Sequence, residues 1–392
     1  MLVRKILINN LNDGLKLIKN AGCNESAFLL LAKKGVFKPI IIEKIDNRAA
    51  NILKQEAIAC GADAVVNENV SRFKKGFSDA IILACSRQIE ILIKKLAFQP
   101  FGLKELSLHL EEILKDITKP EKIFRYKKSK LTFSQTAVMG IINLDPDSFS
   151  ADGITNADTA LKQAAFFEES GAALIDIGAE SSRPGVKPID VKTEIKRLLP
   201  VLKHIKKKIK IPVSIDTYKY ETAKAALDEG ADIINDIFAL RKGKDKLAKL
   251  ISDMKAGLIL MHMKGIPSNM QKNPFYKNCV SEVYEFLKER REYALGLGIG
   301  KDFISVDPGA GFGKTDKNNI ELVKNMEVFS SLGCVTAGVS RKRFVRELSG
   351  KNTTSFVAAN LMAAYCGASI VRVHDVAETV KALKIIDAVR RI

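Results

Sequence analysis

The chain has 392 residues, of which 46% are hydrophobic, and it carries a formal net charge of +18. At about 100–200 residues per domain this length predicts two domains, and the hydrophobic content excludes an intrinsically disordered chain. No apolar run reaches the ~18 residues that a membrane helix needs, and the N-terminus turns polar too soon for a secretory signal. We therefore expect a cytoplasmic protein with no membrane partner.

The positive charge leaves two interpretations open. It permits nucleic-acid binding, and it also suits an enzyme that handles polyphosphate anions. Most lysines follow helical patterns such as that of residues 192–210, which is typical of a solvated basic surface. Arginines do not alternate with aromatic residues as on many nucleic-acid-binding surfaces, so we expect no nucleic-acid partner.

The first 118 residues predict a small α/β domain. Strand patterns lie at residues 3–8, 39–42, 64–66 and 80–83, and helical patterns include residues 48–60 and 103–117. This segment contains no phosphate loop, metal-ligand spacing or nucleophile motif, so its role is left unassigned. Residues 117–120 predict a linker, because the proline at 120 ends the preceding helix.

Residues 123–126 and 130–133 are strand-like and flank a polar turn at 127–129. They predict a β-hairpin placed directly before the second domain, at the N-terminal end of its sheet.

The rest of the chain repeats one unit, an apolar strand followed by an amphipathic helix. The predicted strands are residues 138–143, 173–178, 212–216, 233–236, 258–263, 303–307, 335–340 and 369–373. The predicted helices are residues 158–170, 191–208, 220–229, 245–255, 281–297, 319–331, 354–366 and 377–389. Eight such units over about 250 residues are typical of a (β/α)₈ TIM barrel.

An open, doubly wound sheet is the alternative, and it would gather ligand groups at one switch point. Here polar residues follow almost every strand, from Asn143 to His374. A closed barrel is the arrangement that brings all eight strand ends around one mouth. We therefore predict the α/β class, with a TIM barrel at residues 119–392 preceded by the small α/β domain at 1–118.

Two loops carry oxygen and anion-binding groups. Asn143 ends the first barrel strand and offers an uncharged oxygen, which suits Mg²⁺ that is also held by a diphosphate. An ordinary Asx/Pro turn over residues 145–148 is the alternative. The second predicted strand carries the carboxylate of Asp176. In the loop that follows, Ser182 and Arg183 offer hydrogen-bond donors to an anion.

Asp216, Asn235 and Asp307 end three predicted strands. A carboxylate beside an amide matches the amidine-like edge of a heterocycle. Each aspartate has the alternative of capping the next helix, which we favour only for Asp236.

The last two strands are the usual anion corner of this fold. Lys342, Arg372 and His374 follow or end them, and we expect these cationic or titratable groups to face the mouth. His262 is interpreted as a packed or supporting histidine. Residues 307–314 are rich in glycine without forming a Walker motif, and they let Phe312 lie flat against a planar ligand.

Together these strand-end segments resemble the dihydropteroate synthase family, within the wider group of pterin-binding barrels. The resemblance covers residues 123–392, and the segments that carry it are residues 139–150, 176–185, 214–218, 233–237, 260–271, 307–314, 338–344 and 372–379. Members of this family are transferases of folate biosynthesis. They join 6-hydroxymethyl-7,8-dihydropterin diphosphate to 4-aminobenzoate, release diphosphate, and are sulfonamide targets.

The resemblance also implies roles for residues of this chain. It implies Mg²⁺ as cofactor, bound by Asn143, and a homodimer. The catalytic residues that it implies are Asp176, Asp216, Asp307, Lys342, Arg372 and His374. Substrate contacts are implied for Ser182, Arg183, Asp216, Asn235, Ile237, Met261, Asp307, Phe312, Lys342, Arg372 and His374.

The chain departs from the family pattern at three positions. Asp145 stands where the family usually has Thr, Ala179 where it has Gly, and Arg343 where it has Ser. Two other functions remain as alternatives. One is a pterin-dependent methyltransferase of the same fold, which has no use for a diphosphate corner. The other is a non-catalytic pterin or nucleic-acid binder that uses the net positive charge.

Overall fold

The computed structural model describes residues 1–4, 6–118, 122–144, 156–183 and 185–391. It forms two compact units, Met1–Pro120 and Glu121–Ile392, which divide close to the boundary predicted after residue 118. Among the described residues, no helix is both long enough and apolar enough to cross a bilayer.

The N-terminal unit is a small α/β structure. Its elements are α1 (Leu11–Asn20), α2 (Phe28–Gly35), β1 (Ile40–Asp46), α3 (Asn47–Ala59), β2 (Asp63–Val66), α4 (Glu68–Ser71), β3 (Phe77–Leu83), α5 (Ser86–Leu96) and α6 (Leu103–Thr118), with a 3₁₀ turn at Glu25–Ala27. The antiparallel sheet has the order β1-β3-β2. Its core includes Leu53, Ile82 and Leu92, which are fully buried.

One predicted strand of this unit is wrong. The described residues between positions 3 and 8 form no strand, and Val3 and Leu7 are 83% and 76% exposed. The described residues of this segment pair with no strand of the sheet. Strand formation depends on such pairing, so an apolar pattern alone does not produce a strand here.

A hairpin closes the N-terminal end of the barrel, as predicted. It consists of β4 (Lys122–Tyr126) and β5 (Ser129–Phe133), with Phe124 opposite Leu131. The Phe124 side chain is fully buried against residues of the barrel strands, including Met139, Leu174 and Ile259. The opposite, C-terminal end is thereby left as the open face.

The second unit is a closed barrel of eight parallel strands, which confirms the predicted fold class. The strands are β6 (Ala137–Asn143), β7 (Leu174–Gly178), β8 (Val213–Asp216), β9 (Ile233–Asp236), β10 (Gly257–Met261), β11 (Ile304–Asp307), β12 (Cys334–Ala337) and β13 (Ile370–Val373). The helices are α7 (Ala157–Glu169), α8 (Val191–Lys208), α9 (Tyr220–Asp228), α10 (Lys244–Asp253), α11 (Cys279–Gly296), α12 (Asp316–Lys324), α13 (Arg343–Ser349), α14 (Thr353–Tyr365) and α15 (Val376–Arg391).

Three details of the barrel differ from the sequence prediction. Helix α13 is an additional helix between β12 and α14, and residues 319–331 split into the end of α12 and a 3₁₀ segment at Met326–Leu332. Strand β12 ends at Ala337, earlier than the predicted residue 340. This earlier end matters because it places residues 338–342 in the loop at the open face.

Side-chain caps fix where several barrel helices begin. Asn156, Asp190, Asn278 and Asn352 each accept a hydrogen bond from a backbone N–H of the first turn of α7, α8, α11 and α14. Such caps satisfy donors that a helix cannot pair internally. They set the length of the loops that follow the strands and surround the open face.

Candidate active site

The strand register brings the predicted polar residues to one level. Asn143 pairs with Gly178, Gly178 with Asp216, and Asp216 with Asn235 across neighbouring strands. A cavity of about 800 Å³ opens at this end of the barrel. Eight predicted site residues line it, namely Asn143, Ser182, Arg183, Asp216, Phe312, Lys342, Arg372 and His374.

The other five predicted residues do not line this cavity. They are Asp176, Asn235, Ile237, Met261 and Asp307, and each is at most 6% exposed. They contact residues that do line it. Asn235 and Asp176 are linked to Arg372, while Ile237 and Met261 belong to the apolar cluster of Phe312. The predicted set is therefore brought together, with part of it beneath the cavity wall.

Arg372 is the centre of the polar network. Its Nε donates to Oδ2 of Asp176 at 2.6 Å, and its Nη2 donates to Oδ2 of Asp216 at 3.0 Å. The Asn235 amide donates to the same Asp176 oxygen at 3.1 Å. Asp176 is fully buried, so it acts as the fixed point that orients Arg372 and Asn235. Its Oδ1 has no hydrogen-bond partner among the described residues.

Asp216 is poised to change charge near neutral pH. Burial raises its pKa to about 7, Arg372 opposes that rise, and the neighbouring Asp176 adds to it. The alternative of a helix cap does not hold for Asp216, whose carboxylate pairs with Arg372 and reaches the cavity. A carboxylate in this state responds strongly to a cationic ligand.

Asp307 and Lys342 are two further charged groups of the site, and the charge of each influences the other. The Asp307 carboxylate accepts a hydrogen bond from Gly309 N at 2.7 Å, and burial raises its pKa. Lys342 Nζ lies 4.1 Å from the centre of the Phe312 ring. Burial, assisted by the positive charge of Arg372, lowers the pKa of Lys342 to about 8. The ammonium group of Lys342 therefore lies over the face of the Phe312 ring. A planar ligand could pack against the same ring.

The predicted apolar wall is one cluster. Ile237, Met261 and Phe312 pack together with Phe238, Met263 and Met270, and Tyr218 packs against them. This gives the site a flat apolar side next to its carboxylates, which suits a polar heterocycle with two apolar faces.

His374 is placed at the anion corner, but as a neutral group. Its Nδ1 lies 3.1 Å from Ser340 Oγ. Burial lowers its pKa well below the ordinary value, and Arg341 and Arg372 lower it further. The positive charge of this corner therefore comes from Arg183, Lys342 and Arg372, and His374 adds a hydrogen-bonding group rather than a cation.

Asn143 supplies the one predicted metal ligand. Its side chain lines the cavity, and its Oδ1 lies 3.9 Å from where a Cβ on Gly178 would be. The described residues contain no group of three or more His, Cys, Asp or Glu that could hold a metal. A single amide oxygen fits Mg²⁺, which commonly takes most of its ligands from water and substrate phosphates. Asp145, Asp147, Ser148 and Ser150 lie outside the described residues.

The sequence interpretation missed a structural lysine. Lys314 is fully buried, and its Nζ donates to Gly309 O at 2.9 Å and Phe312 O at 3.1 Å, and lies 2.8 Å from His262 Nδ1. Gly309 has a φ of 67°, where an added Cβ would lie 1.9 Å from His262 O. The glycine loop thus wraps around the lysine. Its signal was a lysine directly after alternating glycines.

The supporting role predicted for His262 is confirmed. The ring is 5% exposed and packs edge-on against Phe286, with 4.8 Å between ring centres.

Replacing Lys314 with methionine should lower the free energy of unfolding by about 3 kcal/mol, because two carbonyls and an imidazole lose their buried donor. Urea unfolding followed by circular dichroism measures this change. Lys317→Met, at an exposed position of α12, is the matched control and should change stability by less than about 0.5 kcal/mol. An equal effect of the two substitutions would contradict the structural role of Lys314.

A partly buried ion network joins the second loop, the third loop and helix α8, and no sequence motif indicated it. Lys219 Nζ bonds to Glu180 and lies 2.9 Å from Glu194 Oε2. The Tyr218 hydroxyl donates to Glu180 at 2.9 Å. Glu180 lines the cavity, so this network fixes one side of it.

Asp236 caps a turn instead of the next helix. Its carboxylate accepts hydrogen bonds from the N–H groups of Phe238 and Leu240, both at 2.7 Å. Helix α10 begins only at Lys244. Asp236 therefore does act as a cap, but it caps the turn that follows β9 and not the next helix, as had been predicted.

Two of the three departures from the family pattern are described. Ala179 is 1% exposed. Arg343 lies at the start of α13, where its Nη2 contacts Asp316 Oδ1 at 3.0 Å, and it lines the cavity.

Comparison with known proteins agrees with this geometry. A family model described as pterin binding enzyme matches residues 139–374. A Helicobacter pylori protein named bifunctional dihydropteroate synthase/dihydropteroate reductase is 34% identical over 390 residues, covering 97% of this chain and 98% of that protein.

Solved structures that match this chain include two of the following kind. A Yersinia pestis dihydropteroate synthase in complex with a sulfonamide drug is 35% identical with a TM-score of 0.66, covering 69% of this chain and all of that one. The Burkholderia cenocepacia dihydropteroate synthase complexed with 7,8-dihydropteroate is 36% identical with a TM-score of 0.62, covering 69% of this chain and 97% of that one.

Proposed function

The chain belongs to the dihydropteroate synthase family of pterin-binding enzymes, and from that premise we propose how its own residues perform the reaction. It joins 6-hydroxymethyl-7,8-dihydropterin diphosphate to 4-aminobenzoate, giving 7,8-dihydropteroate and diphosphate. The observation that carries the proposal is the bridge from Arg372 to Asp176 and Asp216 at the barrel mouth. It holds Asp216 and Arg372 side by side in the cavity lining, with Asp176 buried beneath them.

The carboxylates serve the pterin. Asp216, Asn235 and Asp307 would contact its amidine-like edge, and the cluster of Ile237, Met261 and Phe312 would lie against its face. When the C–O bond to diphosphate breaks, the pterin gains positive charge. Ionised Asp216 and Asp307 stabilise that charge, and they do so strongly because the site is partly desolvated.

The cations serve the leaving group. Arg183 and Arg372 line the cavity with Ser182 and His374, so they can hold the departing diphosphate by charge and by hydrogen bonds. The arylamine nitrogen already has a free electron pair and needs no strong base. Its proton leaves to solvent after the new C–N bond has formed.

We propose that Asn143 binds Mg²⁺ together with the diphosphate. The ion would neutralise charge on the leaving group when bound. Asn143→Ala should raise the Mg²⁺ concentration for half-maximal rate by about tenfold, the lower end of losses seen when a metal site is weakened. Diphosphate release measured over a Mg²⁺ titration tests this, with Asn20→Ala, exposed at the end of α1, as control. An unchanged Mg²⁺ dependence would remove Asn143 from the metal site.

A turnover assay tests the proposed function. The purified chain, pterin diphosphate, Mg²⁺ and 4-aminobenzoate should yield dihydropteroate and one diphosphate per product, detected by mass spectrometry and a coupled diphosphate assay. A sulfonamide should inhibit in competition with 4-aminobenzoate. A folded protein that binds pterin but forms no dihydropteroate would contradict the proposal. Pterin-dependent methyl transfer is not favoured, since it leaves the anion corner without a use.

A second candidate activity is reduction of dihydropteroate. It is favoured by one observation, the match to the Helicobacter pylori protein over 97% of this chain, which includes the N-terminal unit. The reaction adds two electrons and two protons to the product, so it needs a reduced nicotinamide or flavin. Mixing the full chain with dihydropteroate and either reductant tests it. Absence of tetrahydropteroate with both reductants would reject this activity and leave the synthase intact.

We also propose a homodimer formed through α14 and α15. These helices pack side by side and expose Met362, Tyr365, Ile385 and Val389, at 52–69% of their surface. An apolar patch of this kind is typical of an interface. Light scattering should give twice the chain mass, and the double substitution Met362→Glu with Ile385→Glu should give the monomer. A monomeric native protein at micromolar concentration would contradict the proposed homodimer.

The cytoplasmic location stays a prediction.

A further inference from the structure

A cluster of five residues closes the base of the loop between β7 and α8. We call it the loop clamp, and define it as Glu180, Ile189, Glu194, Tyr218 and Lys219. Glu180 and Ile189 stand near the two ends of this loop, and Glu194 lies in the first turn of α8. Tyr218 and Lys219 belong to the next loop, after β8. The loop clamp therefore joins three segments of the chain.

Lys219 is the centre of the loop clamp. An ammonium group has three N–H donors. Here they meet three acceptors: the Glu180 carboxylate, Glu194 Oε2 at 2.9 Å and Ile189 O at 2.7 Å. The Glu180 carboxylate also accepts a hydrogen bond from Ile189 N at 3.0 Å. Both ends of the loop are thus bonded to one lysine and to each other.

The charges of the loop clamp make it depend on Lys219. The side chains of Glu180 and Lys219 are each 11% exposed, and that of Glu194 is 2% exposed. In the described part of the chain, Lys219 is the one cation within 4.0 Å of either carboxylate. Without it, two little-exposed carboxylates would lie close together and unpaired, which is strongly unfavourable. The base of the loop would then open.

The loop held in this way carries the proposed diphosphate contacts. Ser182 and Arg183 lie between Glu180 and Ile189 along the chain, and both line the cavity. Lys219 lies outside the described lining of the cavity, so it acts on a ligand only through the loop.

Tyr218 connects the loop clamp to the apolar wall of the site. Its hydroxyl donates to Glu180 at 2.9 Å, and its ring packs edge-on against Phe238, with 4.6 Å between ring centres. The wall that would lie against the pterin and the loop that would hold the diphosphate are therefore linked through one tyrosine.

We propose that Lys219 is a positioning residue, which holds the loop so that Ser182 and Arg183 meet the diphosphate of a bound pterin. The inference rests on the proposed synthase function and deepens it, because it names the group that places the anion contacts. The effect of Lys219 is confined to the diphosphate half of the substrate. The pterin ring is met by residues of the strand ends and of the apolar wall, so its own binding should not depend on Lys219.

The test compares two ligands by isothermal titration calorimetry of the full chain with Mg²⁺: 6-hydroxymethyl-7,8-dihydropterin and its diphosphate. The ratio of their Kd values measures what the diphosphate adds to binding. In Lys219→Met this ratio should fall by about tenfold or more, because a hydrogen bond to a charged group commonly contributes at least that factor. The Kd of the pterin without diphosphate should change less than about threefold.

Two further variants connect the effect to the loop clamp. Tyr218→Phe keeps the ring and removes one bond to Glu180, so the ratio should fall by about two- to fivefold. Adding Glu194→Gln to Lys219→Met removes one of the two unpaired carboxylates and should restore the ratio by about threefold or more. If Lys219→Met alone does not fold, Tyr218→Phe and the double variant decide the question.

Lys224→Met is the matched control. It removes a lysine from an exposed i,i+4 pair with Asp228, in the helix that follows Lys219, and should keep the native ratio. Circular dichroism of each protein checks that it is folded.

The outcomes separate the two proposals. A native chain that forms no dihydropteroate would overturn the synthase function itself. A native chain that turns over but binds both pterins equally would overturn the role of Lys219 alone, and so would a folded Lys219→Met protein that keeps the native ratio. An equal loss of affinity for both pterins would do the same, because it would show a general disturbance of the barrel.

Discussion

Replacing Arg372 with alanine should lower kcat/KM for the synthase reaction by about 100- to 1000-fold, comparable to the loss of a key donor to a developing charge. The guanidinium holds Asp176 and Asp216 at 2.6 and 3.0 Å, so its removal disrupts both the carboxylates and the anion corner. The Arg372→Ala protein should still fold. It should unfold at a lower temperature, because breaking a buried ion pair costs about 3–5 kcal/mol.

Two further variants make this result specific. Arg372→Lys keeps the charge but cannot donate to both carboxylates in the same way, so it should recover only part of the activity. Arg125→Ala removes an arginine whose Nε lies 3.7 Å from Asp302 on the hairpin side, and it should retain activity within about twofold. Near-native turnover by a folded Arg372→Ala protein would show that Arg372 is not part of the site.

The second large effect is expected for Asp216→Asn. The substitution keeps the shape and removes the charge that stabilises a cationic pterin, so kcat/KM should fall by about 100-fold or more. Asp228→Asn, on an exposed i,i+4 pair with Lys224, is the control and should leave the rate unchanged. Steady-state rates with saturating 4-aminobenzoate measure both. Full activity of the folded Asp216→Asn protein would count against the assignment.

The pKa of Asp216 adds a pH signature to that experiment. Burial raises it to about 7, so the free enzyme should lose activity as pH falls through that value and the carboxylate takes up a proton. The acidic limb of the kcat/KM profile should be absent in Asp216→Asn. An identical limb in both proteins would assign it to another group.

The same raised pKa predicts that the contribution of Asp216 to stability falls as pH rises, whereas activity increases with pH. The folded protein binds this proton more tightly than the unfolded chain does, so the contribution of Asp216 to stability is present below its ordinary pKa of 3.8 and is lost as pH rises through about 7. Asp216→Asn should therefore unfold at an equal or higher temperature than the native protein at pH 8. Lower activity of Asp216→Asn without lower stability would show that Asp216 acts in the reaction and is not needed to hold the fold together.

The barrel could be predicted because its information is local and repeated. Continuous apolar runs such as that of β10 mark strands buried on both faces, and each is followed by an amphipathic helix. The prediction of a strand at residues 3–8 was wrong because a strand also needs a neighbouring strand to pair with, which no local pattern indicates. Helix α13 has only seven residues, too few for an amphipathic repeat to indicate it in the sequence.

The candidate site was predictable at strand ends and less so beneath them. Asp216 and Arg372 stand where a barrel gathers ligands, so their position alone indicated them. Lys314 and the Lys219 network bind loops to one another over long sequence separations. The partners of these lysines are determined by the three-dimensional packing, so no spacing in the sequence predicts them. The charge state of His374 depends on its burial and was invisible for the same reason.

Residues spread over more than 200 positions form one pterin site at the barrel mouth. A crystal structure with a non-reactive dihydropterin diphosphate analogue and Mg²⁺ tests this arrangement. The pterin edge should lie against Asp216, Asn235 and Asp307, with the diphosphate near Asn143 and Arg372. A pterin bound elsewhere on the chain, with these side chains untouched, would contradict it.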